Sequence, residues 1–132
     1  MTRYVDASAV VKLYVTEPES ADAARLLAVR WVAGRHTFVE VRRALTRGLA
    51  GVELDTARLR FAADWRATDV VELDRSVCER AAEYAEETGV RTLDALHLAA
   101  AFGAGGRALP IVTYDHRLAA AARFLGWTVL PE

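Results

Sequence analysis

The chain has 132 residues, 53% of them hydrophobic and 27% charged, with a formal net charge of -1. That length suits a single domain, residues 1–132, able to bury about two thirds of the surface its unfolded form exposes, and the near-zero charge neither advertises nor excludes a polyanion partner. Cys78, the only cysteine, has no partner, and no His/Cys spacing resembles a zinc site, so the pattern predicts a reduced, cytoplasmic protein.

The opening MTRYVDASAVVKLYV is apolar but broken by Asp6 and Lys12, which rules it out as a signal core or membrane span. Thr2 to Asp6 reads as a strand turning at Ala7-Ser8 into a helix with Val10, Val11 and Tyr14. Thr16, Pro18 and Glu19 predict a capped helix over Ala21 to Val29, and Trp31 to Ala33 a short strand. Thr37 opens a helix with the stripe Phe38, Val41, Leu45 and Leu49, followed by a helix of Leu54, Ala57, Phe61 and Trp65. Thr68 to Leu73 is a predicted strand, and Asp74 caps the helix of Val77, Ala81, Tyr84 and Thr88, which Gly89 ends. Thr92 is the expected cap of a helix whose buried stripe is Leu93, Leu96 and Ala100, with Asp94 in its first turn. Gly103 to Arg107 reads as a turn, and Leu109 to Thr113 as a strand closed by Asp115. His116 to Leu125 form a helix ended by Gly126, and Trp127 to Leu130 the last strand.

Strands separated by helices, with Val70-Val71 and Ile111-Val112 patterned for burial on both faces, predict an α/β fold with a mostly parallel sheet flanked by helices. Such folds bind ligands at the carboxyl edge of the sheet. Asp6 and Asp115 end strands while Glu40 and Asp94 open helices, so all four acids fall along that edge. Each has a local explanation: Asp94 complements a helix dipole, and Thr37-x-x-Glu40 is a capping box with Arg43 placed for a salt bridge. Four caps on four elements nevertheless predict no excess of acids over the Ser and Thr beside them. Converging carboxylates without a basic partner must take up protons or hold a divalent cation, and all-oxygen ligation suits Mg²⁺ or Mn²⁺.

The runs Tyr4-Val5-Asp6-Ala7-Ser8-Ala9, Phe38-Val39-Glu40-Val41-Arg42, Leu93-Asp94-Ala95-Leu96-His97-Leu98-Ala99 and Val112-Thr113-Tyr114-Asp115-His116-Arg117-Leu118, in this order over essentially the whole chain, resemble the PIN domain and, more narrowly, the VapC toxins of bacterial toxin-antitoxin pairs. The resemblance implies a three-layer α/β/α fold and a Mg²⁺- or Mn²⁺-dependent endoribonuclease. It also implies a homodimer and a small VapB-like antitoxin that blocks the acidic site. Asp6, Glu40, Asp94 and Asp115 take the positions of the family's acidic quartet, with Ser8 and Thr113 as polar supports.

Arg42, Arg43, Arg47, Arg91 and Arg117 lie within a few residues of the acids and are candidate contacts to RNA phosphates. His97 is expected to be a core or supporting residue, since Mg²⁺ prefers oxygen, and His36 and His116 to lie on the surface. Trp31, Trp65 and Trp127 read as core or interface. Two other readings fit an acidic α/β edge. A receiver-like phosphoacceptor domain needs a lysine near a late strand, and the only lysine, Lys12, is near the start. A catalytically inactive PIN-like interaction module is separated from an enzyme by metal titration.

Overall fold

The computed structural model describes residues 1–132. Five strands, Thr2–Val5 (β1), Arg30–Gly34 (β2), Asp69–Val71 (β3), Ile111–Val112 (β4) and Val129–Leu130 (β5), pair in the order β3-β2-β1-β4-β5. Every neighbouring pair is parallel, with Tyr4 opposite Val32 on one side and Ile111 on the other. Seven α-helices join or follow them: Ala7–Val10 (α1, prolonged by a 3-10 turn over Val11–Leu13), Ser20–Leu26 (α2), His36–Gly48 (α3), Gly51–Arg66 (α4), Arg75–Thr88 (α5), Thr92–Gly105 (α6) and His116–Phe124 (α7).

Alternate strand residues point to opposite faces of the sheet, and this divides the core in two. Tyr4, Val32, Ile111 and Val129 pack with Val77, Tyr84, Leu98 and Leu118 from α5, α6 and α7. Val5, Trp31, Ala33 and Val112 pack on the other side with Val10, Leu26, Leu45 and Phe61 from α1 to α4. The result is the expected three-layer α/β/α sandwich. Because all strands run the same way, their carboxyl ends share one edge. The chain leaves β1 toward β2 and leaves β4 toward β5, so the crevice between β1 and β4 is where the winding reverses.

Several sequence expectations differ from the structure at this level. Val70 and Val71 are half-buried because β3 is an edge strand. Thr16 caps nothing: α2 starts at Ser20, and Glu19 instead pairs with the buried Lys12. Thr92 is the first residue of α6 rather than its cap. Gly103 and Gly105 remain within that helix, whose buried face is Ala95, His97, Leu98, Ala99, Ala100 and Ala101 while Leu93 is exposed. Small residues on α6 allow close packing against both α5 and β2. Asp74 and Gly89 act as predicted, Asp74 accepting from the Val77 amide at 2.9 Å and Gly89 adopting φ 74°, a left-handed helix end.

His36 is buried, not exposed. Its ring folds back on the preceding turn and lies against Gly34, where an added Cβ would come within 2.7 Å of the imidazole and 3.1 Å of the Tyr4 hydroxyl. Gly34→Ala is therefore expected to destabilise the protein by about 1–3 kcal/mol, as for overpacking a tight core, measured by urea unfolding with the slope unchanged.

Candidate acidic centre

Asp6 follows β1 immediately and is almost fully buried. It accepts hydrogen bonds from the Ser8 hydroxyl (2.8 and 3.0 Å), the Thr113 hydroxyl (2.7 Å) and the Ala9 amide (3.2 Å), the last making it the cap of α1. Burial raises its pKa, opposed by His97 and by these donors. Ser8 and Thr113 also tie the ends of β1 and β4 together. Their hydroxyls are 3.2 Å apart, Ser8 accepts from the Tyr114 amide, and Thr113 accepts from the Asp115 amide.

Asp115 caps α7 through a single oxygen, Oδ1, which receives the Arg117 and Leu118 amides at 2.9 and 3.2 Å. Its other oxygen is left for a further partner. Capping and ligation are thus compatible in one carboxylate.

Asp94, in the first turn of α6, does not cap its own helix. It is half-buried, and no hydrogen bond or ion pair compensates it. Its pKa is raised by burial first and then by repulsion from Asp115, with weaker repulsion from Asp6 and Glu40, against an attraction from His97 that exceeds either of those two. Asp94 thus feels the charges of the other three sequence-predicted acids, although Asp94, Glu40 and Asp115 line three different grooves.

Glu40 forms neither the predicted capping box nor a salt bridge to Arg43. The residue before α3, Arg35, offers no side-chain cap, and Glu40 Oε1 lies 2.7 Å from His97 Nε2. A carboxylate can only accept, so that nitrogen carries the hydrogen. His97 Nδ1 is 2.7 Å from the Tyr4 hydroxyl, which also receives the Gly34 amide at 3.1 Å. Burial holds the Tyr4 phenol well above its usual pKa, so it stays protonated and can donate to His97 when that imidazole is neutral. A line of hydrogen bonds thus runs from the β2 backbone through the core to Glu40. His97 is a core residue with a supporting role, as expected. His36 packs against it with ring centres 4.0 Å apart, and burial, then the His97 charge, pushes the His36 pKa down to about 4.

Grooves open on either side of the acids. One of about 590 Å³ is lined by Asp94, Arg91 and Arg117, and another of about 690 Å³ by Ser8, Glu40, Arg43 and Arg47. These four arginines are exposed and form no ion pair, unlike Arg30 and Arg35, which are bonded to Asp69 and Glu72. Arg42 points elsewhere, its guanidinium over the Phe38 ring. A third groove, about 760 Å³, holds Asp115, Thr113 and Lys12. Asp6, Asp94, Asp115 and Glu40 offer oxygen donors, the type that suits a hard divalent ion.

A family model for the PIN domain matches residues 3–124. The chain belongs to the PIN domain family. Ribonuclease VapC49 of Mycobacterium tuberculosis is 34% identical, with 97% of this chain and 94% of that protein covered, and Ribonuclease VapC35 of the same species is 37% identical over 96% and 94%. The fold matches that of M. tuberculosis VapC20, described as a sarcin-ricin loop cleaving toxin, with TM-score 0.70 and 20% identity over 92% of this chain and 95% of that one. FitAcB from Neisseria gonorrhoeae superposes with TM-score 0.72 at 18% identity, covering 98% and 96%. No helix of this PIN domain is long and apolar enough to cross a membrane.

Tyr4 is the site-supporting residue that sequence reasoning missed. A tyrosine in a strand pattern looks like core, and nothing in the spacing announces its bond to His97. The uncompensated charge of Asp94 has a measurable consequence. Its folded-state pKa lies above the usual 3.8, so ionisation is disfavoured in the fold, and stability is given up as pH rises from that value through the folded pKa. In chelator, Asp94→Asn is expected to raise the melting midpoint by roughly a few degrees near neutral pH. The advantage should close as pH falls toward 3.8, as followed by thermal melts in a pH series.

Proposed function

We propose that this PIN domain is a Mg²⁺- or Mn²⁺-dependent endoribonuclease, the toxin of a toxin-antitoxin pair. The observation that carries the reading is Asp94: a half-buried carboxylate with no donor or cation, facing the charges of Asp115, Asp6 and Glu40. An unpaired buried charge costs stability, and a site that keeps it is built for a cation. The names of the relatives, Ribonuclease VapC49 and VapC35, support RNA as the substrate.

Asp6, Asp94 and Asp115 would hold one ion, Asp115 through the oxygen not used in capping, while Glu40 would help hold a second ion or orient the attacking water. Bound there, Mg²⁺ or Mn²⁺ supplies charge compensation for the attacking and leaving oxygens of an in-line phosphodiester displacement. Ser8 and Thr113 hold Asp6 in one orientation and join it to the β4 end. His97 fixes Glu40. Arg91 and Arg117 on one side, and Arg43 and Arg47 on the other, would receive phosphates entering and leaving the centre, where each contact positions the strand without reading its sequence.

A small VapB-like antitoxin would silence such a site by covering it. That partner is supported by the solved relatives, which include a toxin-antitoxin complex from Klebsiella pneumoniae and VapBC2 of Rickettsia felis bound to a promoter DNA fragment. The homodimer belongs to the same proposal.

Incubation of purified protein with total RNA, with and without Mg²⁺, followed by mapping of new ends, tests the reading. Discrete new ends are expected only with the metal. Since even a partner behind a metal ligand is worth 10–100-fold, Asp94→Asn should slow cleavage by at least about a hundredfold. Wild-type cleavage by Asp94→Asn would remove it from the centre, and absence of both metal binding and cleavage would favour an inactive interaction module. Replacing Arg91 and Arg117 by Ala should weaken RNA binding and flatten its salt dependence by about 0.7 in log-log slope for each phosphate no longer neutralised, read from filter binding at several salt concentrations.

A further inference from the structure

Behind the acids lies a second group of donors with different chemistry. His36 and Glu40 stand one turn apart on α3, His97 comes from α6, and one ligand atom from each lies within 4.8 Å of the others. Glu40 Oε1 is 2.7 Å from His97 Nε2 and 3.9 Å from His36 Nε2. The two rings are tilted by 38°, so they are not locked in a parallel stack. His36 is the telling member: nine-tenths buried, with the Leu93 carbonyl nearby but neither ring nitrogen in a well-formed hydrogen bond. Buried polar atoms normally have partners, and this one points its Nε2 toward a carboxylate that is itself a quarter exposed and reachable from the groove of Ser8 and Arg43.

We propose that His36, His97 and Glu40 form a transition-metal site that takes Zn²⁺ in preference to Mg²⁺. Two imidazoles and one carboxylate give the three-ligand donor set of open zinc sites, whereas Mg²⁺ is reluctant to give up oxygen for nitrogen. The sequence contains no recognised zinc spacing because the three ligands come from two helices, with Glu40 and His97 57 residues apart in the chain. The proton on His97 has somewhere to go. When Nε2 turns its lone pair to the ion, the hydrogen resides on Nδ1 and is donated to the Tyr4 oxygen. The Tyr4 O–H rotates to donate to the neighbouring Thr37 hydroxyl and keeps its own proton. No proton leaves the protein in this exchange. The site shares Glu40 with the acidic centre and rests on the nuclease reading only for that residue's second role.

The chain has three histidines, of which His116 is exposed and not a member of the group, so the ring nitrogens of untagged, chelator-treated full-length protein can be followed individually by ¹H–¹⁵N NMR. One equivalent of Zn²⁺ is expected to shift the His36 and His97 ring resonances and leave His116 in place, while excess Mg²⁺ leaves His36 unmoved. Asp94→Asn should show the same Zn²⁺ shifts, and His36→Gln should bind Zn²⁺ more than about tenfold more weakly in equilibrium dialysis, a drop that even supporting residues produce. A His36 resonance unmoved at saturating Zn²⁺ overturns the proposal, as does loss of the shifts in Asp94→Asn, which would place the ion on the acids. Should His36→Gln fail to fold, the wild-type spectra decide alone. Zn²⁺ shifts retained in an Asp94→Asn protein that still cleaves RNA would uphold this site and refute the nuclease assignment of Asp94.

Discussion

Electrostatic repulsion among Asp6, Asp94, Asp115 and Glu40 is the constraint around which the rest of the molecule is arranged. A parallel sheet delivers strand ends to one edge whether or not charges sit there, and the reversal of winding between β1 and β4 opens a crevice at that edge. Filling it with carboxylates costs stability in the absence of a cation. The surroundings limit that cost by fixing each acid from behind: Ser8 and Thr113 on Asp6, backbone amides on Asp115, and His97 on Glu40. Asp94 alone has no such support and bears the remaining strain.

The helix-capping account and the functional account of these acids are complementary. Asp6 and Asp115 do cap helices, and the amides that they receive orient their carboxylates without using every lone pair. A serine in place of Asp115 would cap α7 equally well and would bring no charge to the crevice. Capping explains why an oxygen stands at each position, and only the shared edge explains why that oxygen belongs to an acid.

Much of this is legible in the sequence, because it rests on local patterns. Short apolar runs mark the strands, and Asp74, Gly89 and Gly126 mark helix ends that the structure keeps. The positions of the four acids at strand ends and helix starts are enough to place them at one edge. What fails are inferences that need a partner distant in sequence. Local spacing offers Glu40 only its neighbours Thr37 and Arg43, yet it bonds His97 from another helix. Gly34 and Arg35 have the pattern of a loop, which places His36 on the surface. The ring is buried because Gly34 lacks a side chain and lets it fold back. Leu93 continues an apolar stripe but lies at the mouth of the Glu40 groove, exposed.

The path from Gly34 through Tyr4 and His97 to Glu40 ties the rigidity of the sheet to an otherwise mobile side chain. A glutamate on a helix surface has several rotatable bonds, and restraining it costs entropy. Here that cost is met on folding, since Tyr4 is held by a strand at the centre of the sheet and His97 by a helix packed against it. The same connection makes Glu40 the one acid reachable by nitrogen ligands, because His97 presents to it a nitrogen that a softer cation can use. Asp6, surrounded by hydroxyls and an amide, has no such neighbour within bonding distance. The two faces of Glu40 therefore lead to different chemistries, an all-oxygen crevice in front and a pair of imidazoles behind.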